Sequence, residues 1–182
     1  MRRLHREIDM RGIVLIAAFF TLTTLDISAQ GRFEITENLA RPKSYVGDYA
    51  KVIDEKAERQ LETKLAQLRA RAGIEFVVVT LETTGTEDIF DYSLDAARRW
   101  KLAGGAKDKG GVLLMIAVRD RKWRVQLTRS MEVDLSEAVL KENGERMTAA
   151  FRQGQFGAGV NSCVDGLIAH LAKRRGFKLT PN

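Results

Sequence analysis

The carboxylates of this chain are the side chains most able to do chemistry, because many of them lie where strands or helices are predicted to begin or end. Carboxylate oxygens are hard ligands that suit Ca²⁺ or Mg²⁺, provided that several of them meet at one point. An ion held in this way can activate water for hydrolysis. The candidates are Asp48, Asp88, Asp91, Asp108, Asp120, Glu132, Asp134 and Glu137.

The order of these acids along the chain limits which of them can share a site. Ligands of a sheet covered by helices usually lie beyond the carboxyl ends of its strands. Asp108 and Asp120 flank the predicted strand 112–118 at opposite ends, so one site cannot easily use both. The competing interpretation is structural, since acids are also common as helix caps and turn residues.

Motifs of the common nucleophilic and nucleotide-dependent enzymes are missing from the sequence. No Cys-x5-Arg, Asp-x-Asp, Gly-x4-Gly-Lys-Ser/Thr or Gly-x-Ser-x-Gly pattern occurs. After residue 29 there is one histidine, His170, and one cysteine, Cys163. This pair cannot supply a structural zinc site, and a serine–histidine mechanism would depend on His170 alone. The sequence therefore predicts no organic cofactor and leaves the carboxylates as the only candidate site.

Helical periodicity predicts two helices in the first half of the domain. Residues 55–72 repeat apolar side chains at helical spacing, with Asp54 as the N-cap and Gly73 just beyond the last turn. A second helix is predicted after Thr86, which can cap it, and continues to about Leu102.

Two further helices are predicted in the second half. One covers about residues 135–152 and begins at a capping box that starts with Asp134. Gly154 and Gly157 are predicted to interrupt the chain, and the last helix ends near Gly176.

The predicted strands define the fold class. Residues 74–81 and 112–118 are nearly continuous apolar runs, which are typical of parallel strands buried on both faces. Residues 104–111 form a flexible loop, 123–127 alternate as an antiparallel partner would, and 45–52 allow a short first strand. The prediction is an α/β fold, a three-layer α/β/α sandwich with a small mixed β-sheet whose strand order is not determined.

Residues 1–29 are predicted to be a secretory signal peptide. Four arginines precede the apolar run 12–25, and Ala29 completes a cleavage site. An uncleaved anchor is the second interpretation, although the run is shorter than the roughly 18 apolar residues of a spanning helix. Met10 is an alternative start. The mature chain, which has no second long apolar run and hence no predicted transmembrane segment, is expected to be periplasmic or secreted.

Charge limits the classes of partner, and cysteine content limits the possible disulfides. The chain has 30 Lys and Arg against 24 Asp and Glu, a net charge of +6. The basic residues are spread along the sequence, which favours solubility and attraction to anionic surfaces over nucleic-acid binding. A single cysteine cannot form an internal disulfide. The predicted organisation is a signal peptide at 1–29, an N-terminal arm at 30–44, a domain at 45–176 and a C-terminal tail at 177–182.

Five short motifs, in order, resemble the TPM domain family over about residues 42–172. The motifs are Tyr45-Val46-Gly47-Asp48-Tyr49-Ala50 for its Val-x-Asp-x-Ala opening, residues 74–81 for its first core strand, Trp100 for the Trp that ends its second helix, residues 107–114 for its Asp-Asn-Gly-Val-Leu-Leu segment and residues 120–125 for its Asp-Arg-Lys turn and third strand. The resemblance implies an extracytoplasmic α/β/α sandwich. Some members of the family have been assigned acid phosphatase activity and some bind calcium.

By matching positions, the resemblance implies that the ligands of a Ca²⁺ or Mg²⁺ site are Asp48, Asp108, Glu132 and Glu137. The sequence departs from the family pattern around them. In residues 128–137 both family glycines are lost and Arg129 is added, and a lysine follows Asp108 where the family tends to have asparagine. Added positive charge disfavours a nearby cation, so the metal site is either altered or lost.

Two functions follow from these observations. The first is a non-enzymatic, extracytoplasmic module that binds an unidentified protein partner and helps to assemble or maintain membrane-associated complexes, with or without a divalent metal. The second is a metal-assisted acid phosphatase that acts on phosphomonoesters, with Asp48 and Asp108 as ligands and bound water as the nucleophile. The missing nucleophile motifs favour the first.

Overall fold

The computed structural model describes residues 39–179, so the predicted signal peptide and most of the predicted N-terminal arm lie outside the described residues. The strands are β1 (Val46–Asp48), β2 (Ile74–Leu81), β3 (Gly110–Ala117) and β4 (Lys122–Leu127). The helices are α1 (Glu55–Ala72), α2 (Ile89–Arg99), α3 (Arg129–Glu132), α4 (Glu137–Phe151) and α5 (Phe156–Arg175). The domain boundaries stay a prediction.

The four strands form one mixed sheet in the order β1-β2-β3-β4. Helix α1 crosses over from β1 to β2 and α2 from β2 to β3, and both strand pairs are parallel. A short turn joins β3 to β4, which pairs antiparallel with Leu114 opposite Val125. The predicted mixed α/β sheet is confirmed, including the antiparallel partner at residues 123–127.

Helices cover both faces of the sheet, which confirms the three-layer sandwich. Every residue of β2 and β3 is buried. Alternate side chains such as Phe76 and Val78 pack with α1, α4 and α5 on one face, whereas Val77 and Val79 pack with α2 on the other. The two apolar runs of the sequence are continuous because both faces of these strands contact a helix.

Helix α1 has the bounds predicted from its periodicity. The Asp54 carboxylate accepts a hydrogen bond from the Ala57 N–H at 2.9 Å and caps the first turn. Gly73, with φ of 67°, ends the helix and donates its N–H to the Arg69 carbonyl at 2.9 Å. This left-handed conformation is one that glycine adopts without a steric penalty.

Two predicted helix starts are wrong by a few residues. Helix α2 begins at Ile89, and its cap is Asp88 rather than Thr86, because the Asp88 carboxylate accepts from the Phe90 N–H at 2.8 Å. Helix α4 begins after Ser136 rather than after Asp134. The carboxylate of Asp134 instead binds two arginines of α5.

Two glycine predictions are also wrong. Gly110 lies in β3, not in a flexible loop, since it pairs in register with Ile74. A side chain at Gly110 would overlap Met131, which explains the need for glycine there. Gly157 lies within α5, where a Cβ would press on Ala57 and Asp54 of α1's first turn. Within residues 39–179, no helix combines the length and apolar composition needed to cross a bilayer.

Candidate functional site

Asp48 ends β1 at the carboxyl edge of the sheet, where the sequence places candidate ligands. Its carboxylate accepts a hydrogen bond from the hydroxyl of Thr80, its register partner on β2. The N–H groups of Val52 and Ile53 donate to the same carboxylate at 3.2 and 2.8 Å. Lys51, in the turn between Asp48 and Val52, has φ of 53°. Asp48 therefore closes the turn that leads from β1 into α1.

Asp120 lies at the same edge, in the turn between β3 and β4. The Thr83 hydroxyl and the Thr84 N–H each donate to its carboxylate at 2.8 Å, and the Thr84 hydroxyl donates at 3.2 Å. Burial raises the pKa of Asp120, but these hydrogen bonds and the charge of Lys122 outweigh burial and hold the pKa below its usual value. Asp120 thus ties the loop after β2 to the turn after β3.

A cleft of about 640 Å³ opens beside this edge, between the β3–β4 turn and the junction of α4 with α5. Its side chains are mainly aromatic, aliphatic or cationic. The principal ones are Trp123, Phe151, Phe156, Arg121, Lys122 and Arg152. Among the described residues that line the cleft there is no histidine, cysteine, aspartate or glutamate. This composition suits binding of an anionic, partly apolar ligand better than acid–base or metal chemistry.

Asp108 lies at the opposite, amino edge of the sheet, in the loop that leads into β3. Arg69 donates to both of its carboxylate oxygens, from Nε and from Nη2, each at 3.2 Å. The Gly105 N–H adds a third hydrogen bond at 2.9 Å. The Asp108 side chain is 4% exposed, so a metal ion here would have to displace or approach a guanidinium group. Asp108 holds its loop against the end of α1.

Glu75, near the start of β2, is a buried carboxylate that the sequence predictions miss. It is 2% exposed and accepts hydrogen bonds from Arg41 at 2.5 Å, Arg69 at 3.1 Å and the Ala103 N–H at 2.6 Å. These bonds join the N-terminal segment, α1 and the loop after α2. The available signal was that Glu75 is the one charged residue in the apolar run 74–81.

The predicted metal ligands Asp48 and Asp108 lie far apart. Asp48 is level with Thr80 of β2, whereas Asp108 precedes β3 near the level of Ile74. The six residue-to-residue steps of β2 from Ile74 to Thr80 correspond to about 20 Å at roughly 3.3 Å per residue. One ion cannot bind both carboxylates across that distance.

The other two predicted ligands, Glu132 and Glu137, are exposed and lie in α3 and in the first turn of α4. In the part of the chain that the structure describes, no group of three or more His, Cys, Asp or Glu side chains is arranged to hold a metal ion. The arrangement does not fit a single cation bound by all four carboxylates. The metal site stays a prediction.

Asp134, between α3 and α4, has a structural role, because its carboxylate binds two arginines of α5. Arg174 and Arg175 donate to its two carboxylate oxygens at 3.1 and 2.7 Å. Burial raises the pKa of Asp134, but the hydrogen bonds and charges of these arginines outweigh burial and lower the pKa. The contact fixes the end of α5 against the segment that follows α3.

The two remaining nucleophile candidates of the sequence lie on α5. Cys163 is fully buried in the core, and burial raises the pKa of its thiol to about 12. A thiol with such a pKa is almost entirely protonated at neutral pH, so Cys163 is a core residue and not a nucleophile. His170 is half-buried on the same helix, two turns further on.

Comparison with known proteins identifies similar chains. A model of the TPM domain matches residues 46–170, more than two thirds of the chain. The N-terminal domain of a protein from P. gingivalis shares 25% sequence identity with a TM-score of 0.66, over 81% of this chain and 94% of that one. No curated protein matches.

Two further solved structures share the fold at lower identity. The N-terminal domain of the cg2496 protein from Corynebacterium glutamicum has 15% identity and a TM-score of 0.54, over 72% of this chain and 82% of that one. The BA42 protein from the psychrophilic Bizionia argentinensis has 22% identity and a TM-score of 0.57, over 66% and 82%.

Proposed function

The chain belongs to the TPM domain family, and from this premise we propose that it is an extracytoplasmic, non-catalytic module that binds a protein partner and helps to assemble or maintain membrane-associated complexes. The observation that carries the proposal is the scattering of the acidic side chains. Hydrolysis assisted by a metal needs several oxygens on one ion with an open position for water. Asp48 and Asp108 lie at opposite edges of the sheet, and other donors already occupy their oxygens.

The cleft at the carboxyl edge is the surface that supports binding. Three aromatic rings provide apolar contact area, and the rings of Phe151 and Phe156 lie 4.8 Å apart. Arg121, Lys122 and Arg152 surround them, and all three are exposed. Charge complementarity selects an occupant with acidic groups beside apolar ones. We therefore assign the cleft to an acidic, apolar peptide segment of the partner protein.

A genetic experiment tests the role in complex maintenance. The gene is deleted in the source organism, and membrane complexes are separated by native electrophoresis. We expect at least one complex to lose abundance, and expression of the wild-type chain to restore it. A chain with Arg121→Glu and Arg152→Glu should fail to restore it, whereas one with Lys141→Glu, a charge reversal on an exposed face of α4, should succeed. Unchanged complexes after deletion would refute the proposal.

A second experiment tests the phosphatase alternative and the metal. The purified chain is assayed with p-nitrophenyl phosphate and its melting temperature Tm is measured with Ca²⁺, Mg²⁺ or EDTA. We expect no turnover and no shift of Tm at millimolar metal, because Asp48 and Asp108 lie at opposite edges of the sheet. A bound ion would raise Tm by an amount that grows with the logarithm of its concentration relative to its dissociation constant. Metal-dependent turnover that Asp48→Asn abolishes would favour the phosphatase instead.

A further inference from the structure

The amino edge of the sheet collects the C-terminal ends of three helices. Crossover helices run opposite to parallel strands, so α1 and α2 both end where β2 and β3 begin. Helix α5 ends there too, because Arg175 donates to the Ser130 carbonyl at 3.0 Å and neighbouring Met131 lies against Gly110 of β3. The last turns of these three helices contain seven Lys and Arg side chains, which suit the negative end of a helix dipole.

This gathering produces a strongly positive surface, which we name the basic edge: residues 41–45, 69–75, 95–111, 129–137 and 173–179. It contains 14 Lys and Arg but only six Asp and Glu, a net charge of +8. All described residues together carry +6, so the rest of the domain carries −2. The positive charge of the domain is therefore concentrated at the basic edge, which the net charge of the whole domain does not indicate.

Three of the six acids of the basic edge, Asp95, Glu132 and Glu137, are exposed, and the other three are held by arginines. Glu75 and Asp108 are buried against arginines, and Asp134 is held by the arginines at the end of α5. Six lysines of the basic edge remain exposed, and none forms an ion pair with another described residue. They are Lys43, Lys101, Lys107, Lys109, Lys173 and Lys178.

An exposed apolar side chain lies on the same edge. Val133, which follows α3, is 76% exposed, the most of any large hydrophobic residue in the described part of the chain. The exposed aromatic residues Tyr49 and Phe90 lie at the carboxyl edge, so the basic edge lacks exposed rings on which bases could stack. Lysines that share an edge with an exposed aliphatic side chain are typical of a surface that contacts lipid headgroups and their interface with the acyl chains.

We propose that the basic edge docks on a bilayer surface that contains anionic phospholipids. Each ammonium group within a Debye length of such a surface strengthens binding by about fivefold at moderate ionic strength. Six exposed lysines against three exposed acids leave enough positive charge for reversible association. This interaction does not require the aromatic cleft, which lies at the other edge of the sheet, so it can fail or succeed independently of the proposed peptide binding.

Vesicle flotation with the mature chain, residues 30–182, tests the proposal, because the apolar run at 12–25 would itself bind vesicles. The vesicles are pure phosphatidylcholine, or phosphatidylcholine with about one third phosphatidylglycerol. The test variant is Lys107→Glu with Lys173→Glu, which reverses charges on two separate parts of the basic edge. The control is Lys56→Glu with Arg59→Glu, which makes the same change of net charge at the exposed, opposite end of α1. Circular dichroism establishes that both variants are folded.

The wild-type chain should float with the anionic vesicles, and its affinity should fall steeply as salt is raised. The test variant should lose at least about 25-fold in affinity, from two factors of about five, while the control should change by less than about threefold because its charges lie far from the bilayer. Equal binding to neutral vesicles would overturn the proposal, as would equal losses in both variants. Binding to duplex DNA without binding to anionic vesicles would also overturn it and assign the edge to nucleic acid.

Discussion

Replacing Glu75, the buried acid of β2, by alanine should destabilise the domain strongly. Its carboxylate is 2% exposed and is the common acceptor for Arg41, Arg69 and the Ala103 N–H. The substitution removes all three hydrogen bonds at once. It therefore uncouples the segment before β1, the end of α1 and the loop after α2.

The expected loss can be worked out from the exposure of each partner. The Ala103 N–H, half-buried, loses its acceptor at a cost of about 1–3 kcal/mol. The side chains of Arg41 and Arg69 are 40% and 39% exposed, so water can solvate them and each lost ion pair counts for at most about 1 kcal/mol. The free energy of unfolding should fall by about 3 kcal/mol, which lowers Tm by about 10 °C in a domain of this size.

Thermal unfolding followed by circular dichroism measures this loss, with Glu82→Ala as the matched control. Glu82 is exposed just beyond the other end of β2, and its removal should cost less than about 0.5 kcal/mol. A double-mutant cycle with Arg41→Ala should give a coupling of about 1 kcal/mol or less. If Glu75→Ala and Glu82→Ala lower Tm equally, the buried network does not stabilise the fold as described.

Three further predictions concern other edges of the domain. The pKa of Asp120 is lower in the folded protein than in the unfolded chain, so its contribution to stability is present above the unfolded value of about 3.8 and is lost as pH falls through the folded pKa. Asp120→Asn should therefore lower Tm near neutral pH and lower it progressively less as pH falls below about 3.8. A loss of Tm that does not depend on pH would contradict this. Gly144→Ala should cost about 1–3 kcal/mol in chemical denaturation, because a Cβ there would overlap the Trp123 ring; an unchanged midpoint would mean that the two are not in close contact. Cys163 should react with a thiol reagent only after unfolding, since its thiol is buried with a pKa of about 12, and rapid labelling of the native protein would show that the core opens.

Much of the fold could be predicted because local and tertiary preferences agree. The apolar runs predicted at 74–81 and 112–118 correspond to β2 and, apart from Val118, to β3, which are buried on both faces. The periodicity of 55–72 defines α1. The start of α2 is not determined by local sequence, since Thr86 and Asp88 both have suitable side chains for a cap. The choice depends on where the loop after β2 is fixed, and the bonds from Thr84 to Asp120 fix it. No local pattern contains that tertiary contact.

The candidate site was harder to predict because its members are remote in sequence. Asp48 and Asp108 have similar local surroundings, a strand end and a loop, yet the parallel topology places them at opposite edges. The topology separates these two acids, but it brings the lysines of the basic edge together. Lysines such as Lys43, Lys107 and Lys173 appear dispersed along the chain, and only the common direction of the helices brings them to one end. Spacing in sequence therefore gave no measure of charge density.

The chain enters and leaves the described domain on the same side. The Leu39 carbonyl accepts a hydrogen bond from Trp100 Nε1 at 3.2 Å, beyond the end of α2, and α5 ends at that same edge. Any attachment to a larger partner, whether made ahead of residue 39 or after residue 179, would therefore hold the domain by one side and leave the aromatic cleft pointing away. Attachment through the segment before residue 39 and attachment through the segment after residue 179 would therefore expose the same surface, the one that contains the aromatic cleft.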